Sequence, residues 1–425
     1  MARRCLIISY YFPPVGGGGV QRMVKLIKFL SRKNWQFTVL TADNDIVSLP
    51  EDPTILDDID NPVKIIKVPL TSNNNRIYSI IRSALPSKSG FIQRWLSAFL
   101  YIPDIRISWI KPLNRSVTDE LKHQKYDCIL ITSPPYSLAV YAAQISQRTS
   151  IPVILDMRDP WTINPYKIHP TPYHYYKDRH LELESISHIE FGISAYQTLI
   201  DFYRKNISNF REDQWQVIPN GYDEEDFQDL NTDRLDNKCF NIAFSGTFYS
   251  HINNPRPLFK AISQLSPEMQ HKLKFHHLGE SQIDLPYLIT KFKLQNRIKL
   301  WGYLPHKECI QLLNRMDAFC FILDDNNKNS SYTIGGKVYE YLRLKKPILA
   351  MVPVKGEAAD LINATKSGKV ISPHDTQGIT AVLNNWINGD MKFDFEGIEI
   401  YEREKQARQF LNVINRACNT GTVSN

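Results

Sequence analysis

Apolar and polar positions alternate in short blocks along most of the chain. The apolar run Cys5–Tyr10 reads as a strand. Behind it Val20, Met23, Val24, Ile27 and Leu30 recur at helical spacing, with Arg22, Lys25, Lys28 and Arg32 between them, so a helix follows. Further strands are predicted at Phe37–Thr41, Val63–Pro69, Asp127–Thr132 and Val153–Met157, with a helix at Tyr136–Arg148 between the last two. The pattern then restarts. Asn241–Ser245 is a short strand, Gly246 opens a loop, and Pro257–Leu265 is helical. Strands are expected again at Lys274–Leu278, Ile298–Trp301, Ala318–Leu323, Pro347–Met351 and Lys369–Ile371. Alternating strands and helices of this kind build parallel sheets covered on both faces.

Two such series imply two domains, as does a length of 425 residues, too long for one ordinary core. The predicted division is 1–215 for the first and 216–398 for the second, with a final helix at 399–420 packing back on the first. Six scattered cysteines without a C-x-x-C pair read as reduced thiols of a cytoplasmic protein. No segment approaches the apolar length of a membrane span, and the arginines ahead of Cys5 precede a core strand rather than a signal peptide.

The net charge of +7 is unevenly spread: residues 76–115 hold seven basic residues against the single acid Asp104. The same window carries Ile80, Ile81, Phe91, Trp95, Phe99, Tyr101 and Trp109. A basic stretch rich in apolar residues suits an anionic membrane surface or an acidic ligand; packing of one face on the core is the alternative.

Between the first strand and helix lie four glycines, Gly16–Gly19. Strand, glycine loop and helix together can hold phosphate, because backbone N–H groups converge and no Cβ blocks approach. A dinucleotide fingerprint matches weakly: Gly16 and Gly18 fit, the third glycine falls at Gln21, and Asp43 and Asp45 stand where a ribose-binding acid belongs. No Gly-Lys-Ser/Thr closes the loop, which excludes a P-loop.

The richest chemistry lies in SSYTIGGKVYEYLRLKKPILAM (330–351). Gly335 and Gly336 open a helix, Lys337 and the helix start form an anion site, and Glu340 follows one turn on. A carboxylate there can accept hydrogen bonds from both ribose hydroxyls of a nucleotide; a solvated helix residue is the alternative.

These pieces resemble family 4 of the glycosyltransferases, of the GT-B fold. The likeness is carried by YYFPPVGGGGVQR, PVILDMRDPW (152–161), VIPNGYD (217–223), FSGTFYSHINNPRPL (244–258) and GGKVYEYLRLKKPILA (335–350), in the family's order across almost the whole chain. The resemblance implies an α/β protein with two facing Rossmann-like, doubly wound domains and a deep interdomain cleft. It implies a retaining hexosyltransferase, moving sugar from a UDP- or GDP-sugar to a glycan or polyprenyl-linked acceptor in bacterial surface-polysaccharide biosynthesis.

By the same resemblance Gly17, Gly18, Gly19, Gly246, Gly335, Gly336, Lys337 and Glu340 bind the donor. Arg158, Asp159, Arg256 and Lys337 are the catalytic set, and Asp156, Arg158 and Asp159 face the acceptor. Two positions depart from the family: Tyr332 replaces the first glutamate of a paired motif, and Arg158 stands where a histidine is common. Arg256, Lys337 and helix ends replace a metal in neutralising the leaving diphosphate, so no metal and no other cofactor is expected. Asp324–Asp325 are adjacent rather than spaced as an Asp-x-Asp pair and read as a hydrophilic loop.

His169, His174 and His180 lie among tyrosines, and His276–His277 on a strand; neither set has zinc-ligand spacing. Trp301-Gly302-Tyr303 is a weak candidate for the nucleobase site. The expected location is the cytoplasm, peripheral on the inner face of the membrane through 76–115, with no nucleic-acid partner. Other readings are a non-catalytic GT-B scaffold subunit and a nucleotide-sugar epimerase.

Overall fold

The computed structural model describes residues 2–43, 52–70, 90–236 and 238–421. Asp45, Ile80, Ile81 and the basic residues Arg76, Arg82 and Lys88 lie outside these, as does the side chain of Phe91. The chain forms two compact units, one of Met1–Pro219 with Arg403–Asn425, the other of Asn220–Glu402.

The first unit holds strands β1 (Arg3–Ile8), β2 (Trp35–Ala42), β3 (Lys64–Val68), β4 (Cys128–Ser133), β5 (Val153–Met157), β6 (Phe191–Ser194) and β7 (Trp215–Val217). They form one sheet in the order β3-β2-β1-β4-β5-β6-β7, every pairing parallel. The second unit holds β8 (Phe240–Ser245), β9 (Leu273–Leu278), β10 (Ile298–Gly302), β11 (Ala318–Ile322), β12 (Ile348–Met351) and β13 (Gly368–Ile371). Their order is β10-β9-β8-β11-β12-β13, again parallel throughout. Central strands such as β1 and β11 are apolar on both faces because helices cover both, so their burial is continuous rather than alternating.

β6 and β7 escape the hydrophobic pattern because they are short and irregular in composition. Gly192 in β6 leaves the space that the Trp215 ring fills, since a Cβ there would overlap the indole.

The first helix, Gly18–Ser31, differs from an ordinary surface helix. Its basic residues Arg22, Lys25 and Lys28 are all buried. The C-terminal helix Arg403–Gly421 explains this, placing Ala407, Phe410, Val413, Ile414 and Ala417 in one core with Val20, Met23, Val24 and Ile27. With sheet on one side and helix on the other, each interleaved cation needs an internal partner. Lys25 pairs with Asp58 at 3.0 Å. Arg22 pairs with Asp156 at 2.8 Å and lies 5.0 Å from the Phe410 ring centre.

Within the basic window Trp109 is buried, its indole N–H donating to the Val68 carbonyl, so this residue serves the core. Ile92, Phe99 and Leu100, on the helix Gly90–Leu100, are exposed. All six cysteines are free thiols. No helix among the described residues is long and apolar enough to cross a membrane.

Candidate functional site

In the first unit the glycine loop sits at the carboxyl end of β1. Gly17 precedes the helix with φ 126° and ψ 159°, a backbone conformation that is essentially glycine's own. A Cβ there would meet nothing within 4 Å, so the loop's backbone borders open space. Gly19 is different, because a Cβ would overlap the Arg158 guanidinium. The structure therefore brings Gly19 and Arg158 together: the glycine is the floor on which the arginine lies.

Arg158 follows β5 and is nearly buried. It donates to the Pro134 carbonyl at 2.6 Å, while its buried Nε has no hydrogen-bond partner. Burial pulls its pKa down, only partly offset by Asp159 and Asp156. A cation in that state gains from a nearby anion.

The two neighbouring aspartates divide. Asp156 is fully buried, taken up by Arg22 and by the Thr132 hydroxyl at 2.9 Å. Arg22 also donates to the carbonyls of Ile218 and Pro219, both at 2.8 Å. Asp156 thus sits inside a closed network. Asp159 is half-buried, and burial raises its pKa against the pull of Arg158 and Arg22. Of the two carboxylates placed with the acceptor by sequence, only Asp159 is positioned to meet a ligand.

The segment after Asp159 is anchored by the helix Pro172–Ser187. Trp161 donates to Asp178 at 2.9 Å, and Asp178 also receives His169 and Lys167. Glu182, 0% exposed, accepts from the Thr162 N–H at 3.0 Å, the Thr162 hydroxyl and the Tyr203 hydroxyl. Burial pushes Glu182 up to about 7 despite these donors. His169 and His174 are thereby bound into the loop scaffold, consistent with packing rather than zinc chemistry.

In the second unit Gly246 ends β8 with φ 132°, its N–H bonded to the Leu278 carbonyl and its carbonyl to His277 at 3.0 Å. Gly279 must be glycine because a Cβ would strike the Gly246 carbonyl. Arg256 opens the helix Arg256–Gln264 with an exposed side chain that makes no ion pair among the described residues.

Gly335 and Gly336 lead into the helix Val338–Leu344. A Cβ on Gly335 would press on Phe321 at 3.1 Å, whereas Gly336 borders open space. Lys337 Nζ reaches Glu340 at 3.1 and 3.2 Å. The sequence did not single out His306, whose Nε2 lies 3.2 Å from the same carboxylate, with Asp226 3.9 Å from its Nδ1. Its only signal is position: it opens the helix His306–Asn314 just past β10.

Glu340 is not a solvated helix residue; it is 7% exposed. Burial alone would raise its pKa, but Lys337 and His306 hold it at about 2. Lys337 is raised in turn: burial works against its charge, and Glu340 outweighs it. Its side chain remains 38% exposed, so one end of the pair is open to a ligand.

Tyr332 ends a short turn, Lys328–Tyr332, and is half-buried. Trp301 donates to His276, leaving Tyr303 exposed beyond Gly302 at φ 73°. Asp324 and Asp325 lie beside His374, the ligand atoms of the three within 4.8 Å of one another.

The family model "Glycosyl transferases group 1" matches residues 227–403. Among solved structures the chain resembles a sucrose-phosphate synthase from Thermosynechococcus elongatus, at TM-score 0.69 and 12% identity, covering 98% of this chain and 100% of that one. It also resembles Anabaena HepE in complex with UDP, at TM-score 0.59 and 15% identity, covering all of both chains. A third is the lipopolysaccharide outer core galactosyltransferase WaaB, at TM-score 0.61 and 13% identity, covering 97% and 99%. At such identities the likeness shows the fold. No curated protein sequence matches.

Proposed function

We propose that this chain, whose residues 227–403 match the group 1 glycosyl transferases and whose fold is that of the GT-B glycosyltransferases, is a retaining hexosyltransferase. It moves sugar from a UDP- or GDP-sugar to a glycan or polyprenyl-linked acceptor of bacterial surface polysaccharide, in the cytoplasm at the inner face of the membrane. The observation that carries this reading is the ionised carboxylate of Glu340, held by Lys337 and His306 next to the open backbone of Gly336. The UDP bound by Anabaena HepE supports a nucleoside diphosphate as the group recognised.

Glu340 accepts from the ribose hydroxyls, and Lys337 with Arg256 stabilises the charge that develops on the departing diphosphate. Gly246, Gly335 and Gly336 allow the phosphates close to the backbone. Arg158, lying against Gly19, adds a further cation, and Asp159 orients the acceptor hydroxyl. The acceptor's proton passes to an oxygen of the leaving phosphate. No side-chain base, covalent nucleophile or metal is then required.

Thermal unfolding with UDP, GDP and their sugars tests this. Tm should rise with the logarithm of ligand concentration for one of them. Lys337→Ala and Glu340→Ala should each weaken that ligand about tenfold or more, the loss of a charged hydrogen bond, while each variant still unfolds cooperatively, at a lower ligand-free Tm. If no UDP- or GDP-sugar shifts Tm or is turned over, the enzyme reading falls and a scaffold subunit remains.

A further inference from the structure

A cavity of about 330 Å³ opens in the first unit, apart from the glycine loop. One wall is the helix Gly90–Leu100 with the turn after it, and the other is residues 166–178. Hydrogen bonds tie the walls together: Arg94 donates to the Tyr166 carbonyl at 2.8 Å, and His174 Nε2 to the Phe99 carbonyl at 3.1 Å. The space is preformed rather than a gap between loose segments. Its floor reaches Tyr136, which stacks on Trp161 of the loop that carries Arg158 and Asp159.

The lining is cationic at its working positions. Arg94, Arg106 and Lys167 face two carboxylates, Asp104 and Asp178, and both acids are already engaged by the fold. Asp104 accepts from the N–H and hydroxyl of Ser137 and from the Arg106 N–H. Asp178 accepts from Trp161, His169 and Lys167. Arg94 is exposed at the cavity mouth, while burial depresses Lys167 against the pull of Asp178.

The outer face of the same helix is apolar. Ile92, Phe99 and Leu100 are 49%, 46% and 51% exposed, and Trp95 stacks on Phe99. Arg94 is the only charged residue in the helix. Cavity and apolar face meet at His174, which lines the cavity and whose ring centre lies 5.0 Å from that of Phe99. A cationic cavity joined in this way to exposed apolar side chains is complementary to an oxyanion carrying a hydrocarbon chain.

We propose that the cavity between Gly90–Leu100 and residues 166–178 binds the phosphate or diphosphate head of an amphiphile whose chain runs over Ile92, Phe99 and Leu100. As the acceptor's head-group site it rests on the transferase reading above; as a binding site it stands without it. The volume suits a phosphoryl group with a sugar attached rather than a bare ion. Arg94 binds the oxyanion at the mouth, beside the Tyr136 wall.

The test uses the full chain and three probes: farnesyl diphosphate below its critical micelle concentration, inorganic diphosphate, and farnesol. Farnesyl diphosphate should bind at least about tenfold more tightly than either of the others, since each lacks half of the complementary surface. Arg94→Gln and the double variant Phe99→Ser/Leu100→Ser change exposed side chains, and each should weaken farnesyl diphosphate about fivefold or more. Lys337→Ala should bind it as wild type does, which separates this cavity from the donor site. Equal affinity in wild type and Arg94→Gln overturns the proposal. So does inorganic diphosphate binding as well as the farnesyl ester, which means a free-anion site, or farnesol doing so, which means a greasy surface alone. UDP binding on the same samples reports the donor reading separately.

Discussion

Two buried glutamates, one in each unit, are driven in opposite directions. Glu182 in the first unit is hydrogen-bonded only by neutral donors, the Thr162 N–H and two hydroxyls, and burial pushes it up to about 7 despite them and the weaker pull of Lys167. Glu340 in the second is nearly as enclosed, yet Lys337 and His306 hold it at about 2. Hydrogen bonds from neutral groups do not replace an adjacent cation once a carboxylate leaves water. The first arrangement anchors a loop and suits a carboxyl that is neutral for part of its life. The second keeps its carboxylate charged at neutral pH, as the proposed contact with ribose hydroxyls requires.

Asp156 forms the third case, with a cation but no opening. The sharpest way to test the comparison is to remove that cation. Arg22→Met should cost about 3–5 kcal/mol of first-unit stability, because Asp156 is left buried and unpaired, and chemical denaturation reads the loss. Pairing it with Asp156→Asn should recover much of this. A small effect of Arg22→Met alone would mean that neutral donors suffice after all.

The glutamates predict opposite pH dependences. Glu182 in the folded chain holds its proton above the ordinary 4.5, so its contribution is full at low pH and is lost as pH rises toward 7. The first unit should lose up to about 3 kcal/mol across that window, and Glu182→Gln should flatten the profile. Glu340 stabilises above 4.5 and loses its contribution as pH falls toward 2. A Glu340→Gln variant should therefore differ most in slope on the acid side, by about 3 kcal/mol at most. Matching slopes in both units would break the contrast.

A smaller effect separates the glycines. Gly17→Ala places a Cβ on a backbone at φ 126° and should cost about 1–3 kcal/mol while leaving Arg158 in place. Gly19→Ala should instead displace Arg158 and appear chiefly in turnover. Equal losses of stability and activity in the two variants would contradict the roles assigned to them.

The strands of both sheets were legible wherever four or more apolar residues stood together, as at Val153–Met157, because a doubly covered parallel strand writes itself as a continuous run. Phe191–Ser194 and Trp215–Val217 were not, since their burial depends on Trp215 filling the space above Gly192. Lys337 and Glu340 could be placed because three residues on a helix put them on one face. His306 was hidden: 34 residues separate it from Glu340, and only the sheet order brings β10's loop to that helix. The interior position of Arg22 was hidden for the same reason, because its cover arrives from residue 403 onward.

That late cover bears on how the protein is made. The chain enters the second unit and leaves it side by side, with Tyr222 bonded to the Tyr401 carbonyl at 3.0 Å. Residues 220–402 therefore emerge from the ribosome as one complete folding unit. The first unit, begun earlier, keeps the seam along Val20, Met23, Val24 and Ile27 uncovered until Arg403–Gly421 is translated. The part synthesised first is finished last.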